Sequence, residues 1–216
     1  MMNNDQIKSQ WANPGAVGLW ALGIVLMVLW ADLIGLIDSK SAPIILGWIF
    51  VAGIAQTLCG IIELRNGSLL TGNMLTAFGL FFMFGLSICQ TLSLYVPVWF
   101  LQKVGAAPST LLGIVVCYLA VMLIFFLPLL ARGPSLLFWT ILVAIPVIFG
   151  LGLLDIGIIG KGFQTILGWI IFILALDVLY LGGAELINMG LQKHVMPMGK
   201  PLIGISRQSH SESYHA

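Results

Sequence analysis

From Gly15 to Ile37 the chain carries a single charged side chain, Asp32. A helix needs about 20 mostly apolar residues to cross a bilayer. Similar runs follow over about Ile44 to Leu64, Asn73 to Tyr95, Ser109 to Ala131, Leu136 to Asp155 and Phe163 to Met189. They are continuous rather than alternating, which favours helices over the strands of a β-barrel. Hydrophobic residues make up 60% of the chain and charged residues 8%, against about 25% charged in a soluble domain. The sequence therefore predicts an all-α membrane protein with six transmembrane helices. Residues 1–12 read as a polar N-terminal tail, 13–191 as the membrane domain and 192–216 as a polar C-terminal tail, its end "KPLIGISRQSHSESYHA" expected to be disordered.

An even number of spans puts both termini on one side. That side collects Lys8, Arg65, Arg132, Lys193, Lys200 and Arg207, and the other collects Lys40, Lys103 and Lys161. The lysine and arginine excess predicts cytoplasmic termini in the plasma (inner) membrane. The loop from Pro97 to Pro108, flanked by Trp99 and Lys103, is expected at the membrane interface. A net charge of +1 without a basic cluster argues against a nucleic-acid partner. Cys59, Cys89 and Cys117 all lie in apolar runs and read as small packing residues. His194, His210 and His215 lie in the tail and read as solvated. No phosphate loop, nucleophile elbow or zinc pattern is present, so neither catalysis, a cofactor nor a metal is expected.

Ionisable groups in hydrocarbon cost about 2.5 to 3.5 kcal/mol each on insertion scales, so each needs a reason. Asp32 and Asp155 fall near one end of their helices and Glu63 and Glu185 near the other, where they can reach the interface. Asp177 lies roughly 21 Å into its run at 1.5 Å per residue, too deep for that. It is protonated, paired or beside a wet cavity. Gly53, Gln56, Gly60 and Glu63 share one helix face. Gly72, Thr76 and Gly79 form a second small face with Asn73 and Phe78 beside it, and Asp177, Tyr180, Ala184 and Asn188 line up with Glu185 at the edge. Such faces pack helices closely, and they are also compatible with a narrow path lined by Gln56, Asn73, Thr76 and Tyr180. "LGWIFVAGIAQTLCGIIEL" and "LGWIIFILALDVLYLGGAEL" resemble each other, which shared membrane-helix grammar explains without an internal repeat. Asn13 can cap the first helix and Pro14 suits its first position; the free amides there attract a carboxylate.

Several stretches together resemble the acetate uptake transporter family, the succinate–acetate permease type. Asn13-Pro14 followed by Gly18-Leu19 matches the start of the signature N-P-[AV]-P-[LF]-G-L. "GIAQTLCGIIELRNGS" is similar to the family's second helix, "TAFGLFF" in part to its third, and "HVMPMGKP" to its closing V-L-P-x-G. The resemblance covers about Ala12 to Gly199. It implies a ring-like homohexamer of six-helix subunits that moves acetate and similar monocarboxylates through each subunit. It also implies a hydrophobic constriction, which falls here on Leu22, Phe78 and Ile145. The family's aromatic residues at the first two positions are Phe and Tyr, so Leu22 and Phe78 are departures. Gly15 and Ala16 likewise replace Ala/Val-Pro in the signature.

The function expected is a transporter or channel for small monocarboxylates, with the bilayer, protons and other copies of the chain as partners. Asn13, Gln56, Asn73 and Thr76 would hold the carboxylate, with Tyr180 also on the path. Asp177, Glu63 and Glu185 are the candidates for a proton relay. A channel for another neutral or cationic solute, such as urea or ammonium, and a non-transporting membrane scaffold are the alternatives. The acidic residues and the missing tyrosine hydroxyl favour the first of these, the many packing glycines the second.

Overall fold

The computed structural model describes residues 11–95 and 108–203. The N-terminal tail up to Gln10, most of the loop expected at the interface, and the tail beyond residue 203, with His210 and His215, lie outside the described residues. Among the described residues, six helices are long and apolar enough to cross a membrane: Gly15–Leu33, Ala42–Arg65, Leu69–Leu92, Thr110–Leu130, Ser135–Ile156 and Gly162–Gly190. They are called the first to sixth spans below. The end of the bundle that bears Trp11 and Ile203 is called proximal.

Local chemistry sets the helix ends. The first span stops at Leu33 rather than Ile37 because Gly35 takes φ +72° and the Leu36 amide bonds back to the Ala31 carbonyl at 2.9 Å. Such a left-handed residue satisfies carbonyls that a helix end leaves free. The second span ends in the same way at Gly67, φ +88°, with Ser68 bonded to Glu63. The third span starts at Leu69, ahead of the expected Asn73, and contains a π-helical segment at Phe78–Gly85. In the fourth span the long helix stops at Ile124 and resumes over Leu127–Leu130. The cause is Pro128, whose ring would strike the carbonyl four residues back, that of Ile124. The fifth span runs through Pro146 as one helix, Ser135–Ile156.

Each span packs on its neighbours in sequence, and the sixth closes on the first. The most extensive packing is of second with third, followed by fourth with fifth and first with sixth. Close approach relies on residues without bulk. A methyl added at Gly60 would lie 2.5 Å from the Thr76 amide nitrogen and 2.9 Å from the Gly72 carbonyl. One at Gly113 would lie 2.5 Å from the Gly152 carbonyl. The small face expected on the second span is thus a packing face: Gly53, Gln56, Gly60 and Glu63 are all buried. At the proximal end Asn66 clasps the chain before the first span. Its amide donates to the Trp11 carbonyl at 3.1 Å and its oxygen accepts from the Trp11 amide at 3.2 Å, while Arg65 lies over the Trp11 ring.

Candidate functional site

The centre of the ring is filled by apolar side chains. Met74, Phe78, Leu123, Leu130 and Ile141 form a buried cluster from the third, fourth and fifth spans. Leu22 from the first span, Ile145 from the fifth and Phe82 pack against it. Leu22, Phe78 and Ile145, the expected constriction, therefore meet in one cluster. Phe78 begins the π-helical segment, and its ring stacks on Phe82 with centroids 4.7 Å apart. π-helical turns are rare, and those that occur are frequently at functional sites.

A strip of buried polar atoms runs from this cluster to the proximal end. Gly79 packs on Gly53 and Thr57, which sets Gln56 at the height of Phe78. One turn nearer the proximal end, Thr76 packs on Gly60, while Gly18 faces Leu75 and Cys59. The next layer holds Gly15, Asn13, Glu185 and Glu63. Gln56 is fully buried, and its amide oxygen and nitrogen, the Thr76 hydroxyl and one Glu63 oxygen have no hydrogen-bond partner. Buried polar groups are nearly always paired, so this strip is suited to polar guests.

The Asn13 oxygen satisfies one free amide at the start of the first span, accepting from Gly15 at 2.6 Å. Pro14 stands at the cap itself, one place earlier than expected. The Glu185 carboxylate lies beside Asn13, and close enough to Glu63 for their charges to interact. Both the Asn13 oxygen and the Glu185 carboxylate crowd Gly15, where any side chain would meet them. The expected Asn13, Glu63 and Glu185 are thus brought together.

Asp177 is paired. It contacts the hydroxyl of Thr140 on the fifth span, and Thr140 also bonds the Leu136 carbonyl at 2.8 Å. Thr140 is a buried residue that sequence reasoning missed. Its signal was weak: one hydroxyl in an apolar run. Two expected path residues stand apart from the strip. Asn73 is exposed and its amide bonds the Leu69 carbonyl on its own helix at 2.7 Å. Tyr180 donates its hydroxyl to the Pro197 carbonyl at 2.8 Å, which ties down the segment after the sixth span.

A further groove, of about 410 Å³, lies on the outside of the first, second and sixth spans, lined by Trp20, Met27, Trp48 and Leu179 among others. It is apolar and separate from the central cluster.

The profile described as the GPR1/FUN34/yaaH family matches residues 3–198. The chain belongs to that family. It is the acetate transporter family to which the sequence motifs point. No curated protein matches the sequence. Among solved structures, one titled "Structure of the bacterial acetate channel SatP" is similar with a TM-score of 0.75 and 24% identity, covering 88% of this chain and 99% of that one. At that identity the likeness shows a common fold, and the family's six-helix architecture is the one described above.

Proposed function

We propose that this family member is a channel or transporter that carries acetate and similar small monocarboxylates through each subunit. The observation that carries this is the convergence of Leu22, Phe78 and Ile145, from the first, third and fifth spans, on one apolar cluster with a polar strip beside it. Acetate is half methyl and half carboxylate. A dry constriction suits the methyl, and Asn13, Gln56 and Thr76 offer donors to the carboxylate on its proximal side. Membership of the family and the likeness to a bacterial acetate channel support the same substrate class. No catalytic step is assigned.

Asp177, Glu63 and Glu185 are proposed to carry the proton that accompanies the anion. Thr140 has one hydroxyl proton, and a threonine hydroxyl donates only once. If that proton goes to the Leu136 carbonyl, the contact with Asp177 draws on a proton of the acid itself. A neutral Asp177 repels no anion and can hand a proton on. Asn73 and Tyr180 are given no contact with substrate, because each side chain is engaged elsewhere. The protein is placed in the plasma (inner) membrane with cytoplasmic termini, so that the proximal end faces the cytoplasm. The outer apolar faces, including the Trp20–Trp48 groove, are assigned to lipid and to other copies in the ring-like homohexamer that the family resemblance implies.

The acids Asp177, Glu63 and Glu185 also suit a small cationic or neutral solute. Purified protein in liposomes separates the two. Labelled acetate entering faster than urea or ammonium supports the monocarboxylate assignment, and the reverse order refutes it. No flux of any of them leaves a membrane scaffold.

A further inference from the structure

The segment that follows the sixth span folds back across the proximal end of the bundle. The chain turns at Gln192, which takes φ +48°. Asn188 then captures the returning strand: its oxygen accepts from the Val195 and Met196 amides and its amide donates to the Met196 carbonyl, each at 2.8 Å. Tyr180 holds the Pro197 carbonyl. The Leu136 amide at the start of the fifth span donates to the Met198 carbonyl at 3.2 Å, and the Leu202 and Ile203 amides both bond the Ala131 carbonyl. Lys200 to Ile203, expected from composition to be disordered, are thus part of a strap fastened to the ends of the fourth, fifth and sixth spans.

The fastening lays one half-buried side chain, Met198, against the apolar interior. Met198 packs with Leu19, Val178 and Leu181, beside Leu22, Leu136 and Leu137. Leu22 and Leu137 also pack against the cluster that holds Phe78 and Ile145. Met198 is therefore one side-chain layer from the constriction, on its proximal side. Fixed points on both sides of Met198 hold its backbone. Its side chain, by contrast, has three rotatable bonds and a polarizable sulfur that adapts to irregular shapes.

We infer that Met198 is a second apolar gate, carried by the strap, and that it sets the size of carboxylate admitted from the proximal side. This rests on the transport function proposed above. Methyl-sized groups slip past a methionine that changes rotamer, whereas longer acyl chains require the strap itself to lift. The strap thereby acts as a specificity element, with Asn188 and Tyr180 as its positioning residues.

The test uses the full chain in liposomes and compares initial fluxes of labelled acetate and butyrate. Met198→Ala is expected to raise the butyrate-to-acetate ratio severalfold. Met198→Leu, similar in volume, is expected to keep the ratio of the unchanged protein, and Met198→Trp to slow both. Asn188→Ala, which releases the strap, is expected to shift the ratio in the same direction as Met198→Ala. Elution of each variant as the intact assembly separates a gating effect from misfolding. A ratio unchanged in both Met198→Ala and Asn188→Ala, with acetate still carried, overturns the gate alone. Absence of acetate flux in the unchanged protein overturns the transport function and the gate with it.

Discussion

Removing the Phe78 ring tests the constriction most directly. Phe78 is buried and stacks on Phe82 at 4.7 Å with an interplanar angle of 25°. For acetate to pass, that stack must part while the aliphatic neighbours slide. An aromatic pair of this kind contributes about 0.5–1.5 kcal/mol beyond its burial. If Phe78→Ala removes that much from the barrier, at about 1.4 kcal/mol per factor of ten, acetate flux rises by about two- to tenfold. The same substitution leaves a cavity, and in soluble cores a buried Phe→Ala costs about 3–5 kcal/mol of stability. Phe78→Leu is therefore the companion variant: it removes the stack but fills most of the space. The assay is uptake of labelled acetate into liposomes, with thermal melting in detergent as the check on fold. Faster flux in both variants is expected. A folded Phe78→Leu with flux equal to or below the original would show that the Phe78–Phe82 stack is not part of the barrier.

Asp177→Asn keeps a hydrogen-bonding group beside Thr140 but cannot exchange a proton; assembly is expected to survive while the pH profile of acetate uptake changes. A pH profile identical to the original would make Asp177 purely structural. Thr140→Val removes the hydroxyl link between the fifth and sixth spans, a loss of roughly 0.6 kcal/mol and at most about 1.7 by analogy with other interhelical bonds in membranes, readable as a lower melting temperature. Gly60→Val drives a side chain into the Thr76 amide and Gly72 carbonyl, which are backbone and cannot step aside. Destabilisation of about 1–3 kcal/mol is expected, and a melt as high as the original would refute the close approach of the second and third spans.

The six spans were legible because length and apolarity alone determine whether a helix can cross hydrocarbon. The buried face of the second span was legible because Gly53, Gln56, Gly60 and Glu63 recur at helical spacing. Periodicity, however, gives a face and not its neighbour. Thr140 is tied to Asp177 only by the packing of the fifth span on the sixth, which no spacing within either helix encodes. Asn73 sat beside the right face, yet its amide bonds within its own helix and the side chain is exposed. A short amide side chain has that local option open to it whatever surrounds the helix. The π-helical segment carries no residue pattern that distinguishes it from α, since it consists of Phe, Gly, Leu and Met like the α-helical runs around it. The strap was hidden by its place in the chain: Met198 and Leu202 stand in a short stretch between the last span and a polar end, and polar tails are expected to stay unfolded. Leu22, Phe78 and Ile145 could be grouped from the sequence because the family resemblance supplied the three positions, and the fold brings them together.

The closing of the ring by the first and sixth spans has a consequence for how the chain is made. An extensive joint in the bundle links the first of the six spans to be made with the sixth. Gly15 and Gly23, whose small surfaces fit against the sixth span, therefore wait without that partner until the sixth span has been made. The second, third, fourth and fifth spans can pair as they emerge, but the first keeps one flank open throughout. A nascent chain arrested before Gly162 carries an unclosed seam along its first helix.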